Sequence, residues 1–305
     1  MRFTIFQDSH IGGRKVNQDR QAYSYSRDVL LMVIADGMGG HARGEIAAEI
    51  AVNTLTNRFQ QEARSQLRRP GEFLEASFNA AHRAIVAFAD QHDMLESPRT
   101  TLVACIVQDG KAWWAHTGDS RLYVLRRGGL AVTTLDHSRV QQLIDAGMIT
   151  QEMAATHPDR NKIYSCLGGV IPPEVTISDE WLLEAGDSIV LSTDGFWSQV
   201  SAQTMASKLR GENILRLMPQ FLAEAEKTAG NSSDNLSVVA LTWEKQDEEE
   251  RDSDTTVTST VPLDGFRTQT NLDQGDASVP PEEVSEEEIE RAIAEIQNAI
   301  RKVSR

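Results

Sequence analysis

The chain has 305 residues, 40% of them hydrophobic and 25% charged, a balance that supports a sizeable core and an ordinary globular fold. Its formal net charge of −15 excludes sequence-nonspecific binding to nucleic acid or to an anionic membrane surface. Residues 244–305 hold 17 acidic and 7 basic residues, so −10 of the −15 belongs to the tail.

Residues 2–7 and 21–35 read as strands, the second containing the continuous apolar run LLMVIAD (30–36) that stops at Gly37, as a buried strand does. From Gly44 to about Glu62 the pattern turns helical, with Ile46, Ile50 and Leu55 near one face. A second helix is expected over 71–91, where Leu74, Phe78, Ala81, Ile85 and Phe88 repeat at spacings of four and three. Four short strands follow, 101–107, 111–117, 121–126 and 130–135, with Asp109-Gly110 and Gly128-Gly129 as hairpin signals. Short helices are expected near 137–146 and 150–156. Further strands are expected at 174–183, 188–193 and 236–243, with one helical stretch over 203–228. Antiparallel strands with helices in two or three blocks predict an α+β layered fold.

After Trp243 the chain becomes charged and Ser/Thr-rich, which predicts a catalytic domain over 1–244 followed by a disordered linker over 245–284. Residues 285–305 predict an amphipathic helix. Ser285 and Glu288 form a capping box, and Ile289, Ile293, Ile296, Ile300 and Val303 make a short a/d seam. Such a helix is marginal alone; it either packs back on its own domain or binds a partner, including a second copy. Cys105 and Cys166 are the only cysteines and neither lies in a CxxC pair, which excludes a disulfide framework and fits a reducing compartment. The N-terminus lacks the apolar core of a signal peptide, and no run of about 18 apolar residues occurs. The cytoplasm is the expected location.

Four aspartates sit where a strand meets a turn: Asp36-Gly37, Gly118-Asp119-Ser120, Thr193-Asp194-Gly195 and Ser233-Asp234-Asn235. Each alone has a structural explanation, because aspartate in a turn bonds its own backbone. Converged at one end of a strand bundle, they would repel one another by several kcal/mol at low effective dielectric. A hard divalent cation such as Mg²⁺ or Mn²⁺ resolves that repulsion with oxygen ligands, and no Cys/His cluster with zinc spacing accompanies them.

The segments RKVNQDR (14–20), VIADGMGGHARGEIAAEIAV (33–52), SPRTTLVA (97–104), HTGDSRLYVLR (116–126), LDHSRVQQLIDAGMIT (135–150), HPDRNKIYSCLGG (157–169), GDSIVLSTDGFW (186–197) and SDNLSVVAL (233–241) together resemble the bacterial metal-dependent phosphatases of the protein phosphatase 2C family, in the family's order and over nearly all of 1–243. The resemblance implies a four-layer α-β-β-α sandwich, two antiparallel sheets flanked by helices. It implies hydrolysis of phosphoserine and phosphothreonine in proteins by a metal-activated water at a dinuclear Mn²⁺ or Mg²⁺ site, with a third ion in many bacterial members. On this resemblance Asp36 bridges the two core ions, the Gly37 carbonyl ligates one of them, and Asp194 and Asp234 complete the other. Asp119, with Asp194, holds the third. Arg14 grips the substrate phosphate as a guanidinium fork, Asp19 orients metal-bound water, and Asn235 supports Asp234.

Where eukaryotic members carry a histidine after the Asp-Gly, this chain has Met38, so the histidine-acid role does not carry over; His41 reads as a structural residue before a helix and His116 as non-catalytic. Residues 137–165 resemble a flap that shapes substrate choice. Phosphoproteins and a cognate Ser/Thr kinase are the implied partners. The competing readings are a small-molecule phosphohydrolase and a non-catalytic regulator on the same fold. The Thr-rich stretch 258–272 admits a third possibility for the tail alone, a phosphorylated docking element.

Overall fold

The computed structural model describes residues 1–38, 43–63, 66–230, 233–244 and 267–271. In chain order these form β1 (Phe3–His10), β2 (Asp19–Tyr25), β3 (Val29–Met38), α1 (Gly44–Glu62), α2 (Pro70–Gln91), β4 (Arg99–Thr100), β5 (Leu102–Gln108), β6 (Lys111–Thr117), β7 (Arg121–Arg126) and β8 (Gly129–Thr133). There follow α3 (Arg139–Asp145), α4 (Gln151–Ala154), β9 (Thr176–Ile177), β10 (Trp181–Leu182), β11 (Ser188–Ser192), α5 (Asp194–Trp197), α6 (Ala202–Leu209), α7 (Ile214–Ala229), β12 (Leu236–Trp243) and β13 (Arg267–Asn271).

The strands make two antiparallel sheets. One runs β1-β12-β11-β7-β8; the other runs β10-β6-β5-β3-β2-β13, with β4 on β3 and β9 on β6. Three apolar layers result. Leu30, Met32 and Ile34 of β3 meet Ile189, Leu191, Val239 and Leu241 between the sheets. The alternate residues Leu31, Val33 and Ala35 face Ala47, Ala51 and Leu55 of α1 and Leu74, Phe78 and Ile85 of α2. Val190, Val238 and Ala240 face Met218, Phe221 and Leu222 of α7. A strand covered on both faces must be apolar at every position, which is why β3 reads as an unbroken run. The outcome is the α-β-β-α sandwich expected from the sequence.

Several boundaries differ from the sequence reading, each for a local reason. The strand expected at 174–183 is two short ones, because Ser178 turns aside to bond Trp114, its N–H donating to the Trp114 carbonyl at 2.9 Å and its hydroxyl accepting from the Trp114 N–H at 2.9 Å. The helix expected over 203–228 breaks into α6 and α7 at Gly211, whose φ of 70° no right-handed helix accepts. The second hairpin turn sits one residue early, with Arg127 and Gly128 both at positive φ. Inside the stretch expected to be a disordered linker, β13 pairs with the outer edge of β2, because backbone groups of an open edge accept a polar segment that no core would hold. The rest of 245–284 and the helix expected over 285–305 lie outside the described residues. No helix among the described residues is long and apolar enough to cross a membrane.

Candidate active site

Antiparallel pairing brings the carboxylates to one end of the sandwich. β2 and β3 are in register with Asp19 opposite Asp36. Asp119 lies in the turn from β6 to β7, Asp194 opens α5 at the end of β11, and Asp234 precedes β12. Since β11 and β12 are antiparallel neighbours, the exit of one and the entry of the other coincide.

Backbone contacts fix these positions. The Asp36 N–H donates to Thr101 Oγ1 at 3.0 Å, and its carbonyl accepts from Thr100 Oγ1 at 2.9 Å and from the Thr101 N–H at 2.9 Å. Beside it, Gly37 and Gly44 meet backbone to backbone: a Cβ on either would overlap the other's main chain, so neither tolerates a side chain. A Cβ on Gly195 would likewise strike the Asn235 carbonyl. Asn235 ties down the loop before β2, accepting at Oδ1 from the Gln18 N–H at 2.9 Å and donating from Nδ2 to the Ile11 carbonyl at 2.8 Å.

That loop carries Arg14, whose Nη2 donates to Asp234 Oδ2 at 2.6 Å while more than half of the side chain stays exposed. Asp19 is buried. Its Oδ2 accepts from Thr193 Oγ1 at 2.8 Å, whose oxygen in turn accepts from the Ser237 N–H at 3.0 Å, and its Oδ1 is buried with no hydrogen-bond partner among the described residues. The Asp119 carbonyl accepts from Trp197 Nε1 at 2.9 Å; Arg121 stacks on that indole at 3.5 Å and forks onto Asp136 at 2.7 and 2.8 Å.

The carboxyl groups suffer from one another. Burial, then the charges of Asp19, Asp194, Asp119 and Asp234, push Asp36 well above the carboxylate range. Burial pushes Asp19 to about 7, with Asp194 and Asp234 adding to it against hydrogen bonds from Ser237 and Thr193. Asp119 rises to about 8 through burial and the charges of Asp194 and Asp136. Asp194 rises to about 6 through burial and Asp234, partly offset by the Gly195 amide and a hydrogen bond shared with the Asp36 carboxyl. The neighbouring carboxylates raise Arg14 above its ordinary value, Asp234 foremost.

His116 and His137 stack at 4.6 Å, and burial with a like neighbour lowers His137 to about 4. The His137 N–H donates to the Gly118 carbonyl at 2.8 Å, so the pair braces the turn that holds Asp119. His41 lies outside the described residues. A cleft of about 890 Å³ runs from Asp194 and Asp234 past Trp197 and Arg121, beneath Val140 and Ile144 of α3 and Ala154 of α4.

The site suits a hard divalent cation. Its donors are all oxygen, its charge exceeds what Arg14 offsets, and one buried Asp19 oxygen is unmatched. Among the described residues no three such side chains form a finished cage around one point. A divalent ion held there would take the rest of its coordination shell from water, as Mg²⁺ and Mn²⁺ do. Two supporting features escaped the sequence reading. Thr100-Thr101 and Thr193 are ordinary strand residues until pairing sets them against Asp36 and Asp19; Trp197, four residues after Thr193 and at the end of a one-turn helix, was the stronger signal.

Comparison with known proteins agrees with this geometry. Residues 6–236 match the family model described as protein phosphatase 2C. The serine/threonine phosphatase Stp of Listeria innocua is 30% identical over 234 residues, 75% of this chain and 88% of that one. The serine/threonine phosphatase of S. agalactiae superposes with a TM-score of 0.70 at 31% identity, over 80% of this chain and 100% of that one. PstP of Mycobacterium tuberculosis is 33% identical over 226 residues, 74% of this chain but 42% of that longer protein. A PstP catalytic domain solved with two manganese ions superposes with a TM-score of 0.66 at 30% identity, over 80% of this chain and 99% of that one. With the family match covering residues 6–236, and with them Asp19, Asp36, Asp119, Asp194 and Asp234, this chain belongs to the protein phosphatase 2C family of metal-dependent serine/threonine protein phosphatases.

Proposed function

We propose that the carboxylate end of the sandwich is the catalytic centre of a protein phosphatase acting on phosphoserine and phosphothreonine, with two core Mn²⁺ or Mg²⁺ ions and room for a third. The observation that carries this reading is the convergence of Asp19, which is buried, and Asp36, Asp119 and Asp194, which are half-buried, at one end of two sheets, where each carboxyl is pushed above its ordinary range. Asp36, the Gly37 carbonyl, Asp194 and Asp234 would hold the core pair, and Asp119 with Asp194 the third. When bound, the ions acidify water and neutralise charge developing on the phosphoryl oxygens.

The chain's own residues do the remaining work. Arg14, exposed and mobile about its stem, turns its free guanidinium edge to the phosphate, where a planar fork matches two oxygens. Asp19 offers Oδ1 as a hydrogen-bond acceptor for water, while Thr193 fixes its other oxygen and so its orientation. The cleft under α3 and α4 receives the peptide on either side of the phosphorylated residue and excludes water from it.

We place the catalytic domain at 1–244 and assign the residues beyond it to regulation or partner binding, the terminal helix included. Free Cys105, buried, and Cys166 support a reducing cytoplasm, where a Ser/Thr kinase supplies the phosphoproteins. The test is hydrolysis of a phosphothreonine peptide during Mn²⁺ titration, run beside Asp36→Asn. Metal-dependent turnover by the wild type and none by the variant is the expected result; turnover of small phosphate esters with no peptide turnover overturns the protein-substrate assignment.

A further inference from the structure

β13 is a five-residue strand, RTQTN, without an apolar residue, and residues 244–266 separate it from β12. At about 3.3 Å per residue that connection reaches either end of β2. β13 is therefore held by backbone pairing, not by core burial.

β2 offers it an edge. Its inner edge pairs with β3 over seven residues. Its outer edge has neither proline nor bulge to protect it, and Ala22 and Ser24 are wholly buried. β13 takes that outer edge in antiparallel register, from Arg267 opposite Tyr25 to Asn271 opposite Gln21. Among the described side chains, Tyr23 Oη donates to Gln269 Oε1 at 2.7 Å across this register. Tyr23 is itself braced by Tyr25 at 6.2 Å, on whose edge Phe3 packs at 5.4 Å. The docking surface is thus built from the domain and the occupant adds only a polar strand, which is the pattern of peptide recognition by strand addition.

We propose that the outer edge of β2 is a strand-docking site whose occupant is the chain's own segment Arg267–Asn271, added in cis and separable from the catalytic domain. Direction gives the site a consequence. Asn271 stands opposite Gln21, two residues from Asp19, so the docked strand runs towards the end of the sandwich that carries the acids. The proposal is independent of the phosphatase reading.

Solved relatives superpose over 80% of this chain and 99–100% of their own, so a domain of this extent folds alone in them; a protein ending at Glu244 is compared with the full chain once circular dichroism and thermal unfolding show it folded. Hydrogen exchange is followed at amides 20–25 in the full chain, in 1–244, and in 1–244 with the synthetic peptide DGFRTQTNLD (264–273). Truncation is expected to speed exchange there at least tenfold and the peptide to restore it, whereas a peptide with proline at 268 and 269 does not. The double variant Thr268→Pro/Gln269→Pro in the full chain should exchange like the truncated form. The full chain should bind no labelled peptide, because its own segment competes at an effective concentration on the order of millimolar. Exchange unchanged by truncation, no rescue by peptide, or equal peptide binding by both proteins overturns the proposal. Sedimentation of the full chain as a dimer that the double variant dissociates would assign the occupant to a second copy and overturn the cis assignment. Turnover of an aryl phosphate reports separately on catalysis.

Discussion

The two ends of the sandwich both bury acid, and they treat it in opposite ways. At the end away from the site, Asp187 is almost wholly buried, yet each of its oxygens is met: Arg126 Nε donates to Oδ1 at 2.9 Å, and Arg126 Nη2 and the Glu184 N–H donate to Oδ2 at 2.6 and 2.8 Å. Glu184 takes the third Arg126 nitrogen, Nη1, at 3.0 Å, and the guanidinium lies over Trp181 at 5.3 Å. The protein supplies its own cation there, so the charge serves structure. At the other end Asp19, Asp36, Asp119 and Asp194 crowd together with their protons held above the ordinary range, while Arg14 pairs with Asp234 and Arg121 with Asp136, so none of the four has an ion pair of its own among the described residues. Burial of a carboxylate does not by itself mark a functional site; burial without an internal counter-charge does.

Asp36→Asn breaks the contrast most sharply. Metal-dependent hydrolysis of an aryl phosphate should fall on the order of a thousandfold or more, while the metal-free protein should melt higher because one repelling acid is gone. At the opposite end Asp187→Ala should do the reverse. Stripping Arg126 of its buried partner should cost about 3–5 kcal/mol in denaturant unfolding, with turnover per folded molecule within about twofold of wild type.

The pH dependence of stability separates the ends next. Asp19, Asp119 and Asp194 hold folded-state values of about 7, 8 and 6 against an unfolded 3.8. Between about pH 4 and pH 8 the folded chain therefore binds more protons than the unfolded one, and unfolding free energy falls as pH rises. In calorimetry with chelator present, the protein should be more stable near pH 5 than near pH 8; saturating Mn²⁺ should remove or invert that slope, and a slope indifferent to metal would contradict a shared ion site. The smallest effect is expected for Arg14→Lys, which keeps the charge but loses the fork. KM for a phosphothreonine peptide should rise about tenfold with kcat within about threefold.

The sequence was most legible where one physical demand acted alone. The doubly covered β3 had to be apolar throughout and was read nearly to its end, and α2 showed its buried stripe directly. The strand-end aspartates were visible as residues, but their convergence was not. It depends on pairing between segments as distant as Asp19 and Thr193, 174 positions apart, which no local spacing encodes. Thr193 and Trp197 stayed hidden for the same reason. β13 was hidden by its composition, since a polar five-residue strand differs from linker only when an open edge lies beside it. Gly211 was available as a break within the expected helix and was passed over because the flanking apolar periodicity continued on both sides.

The side-chain amide of Asn235 has a wider consequence. By bonding Gln18 and Ile11 it ties the arginine loop to the start of β12, alongside the Gly13 N–H bond to the Ser233 carbonyl at 3.0 Å. On the proposed reading of the site, a change at this amide should therefore alter substrate affinity and ion affinity together.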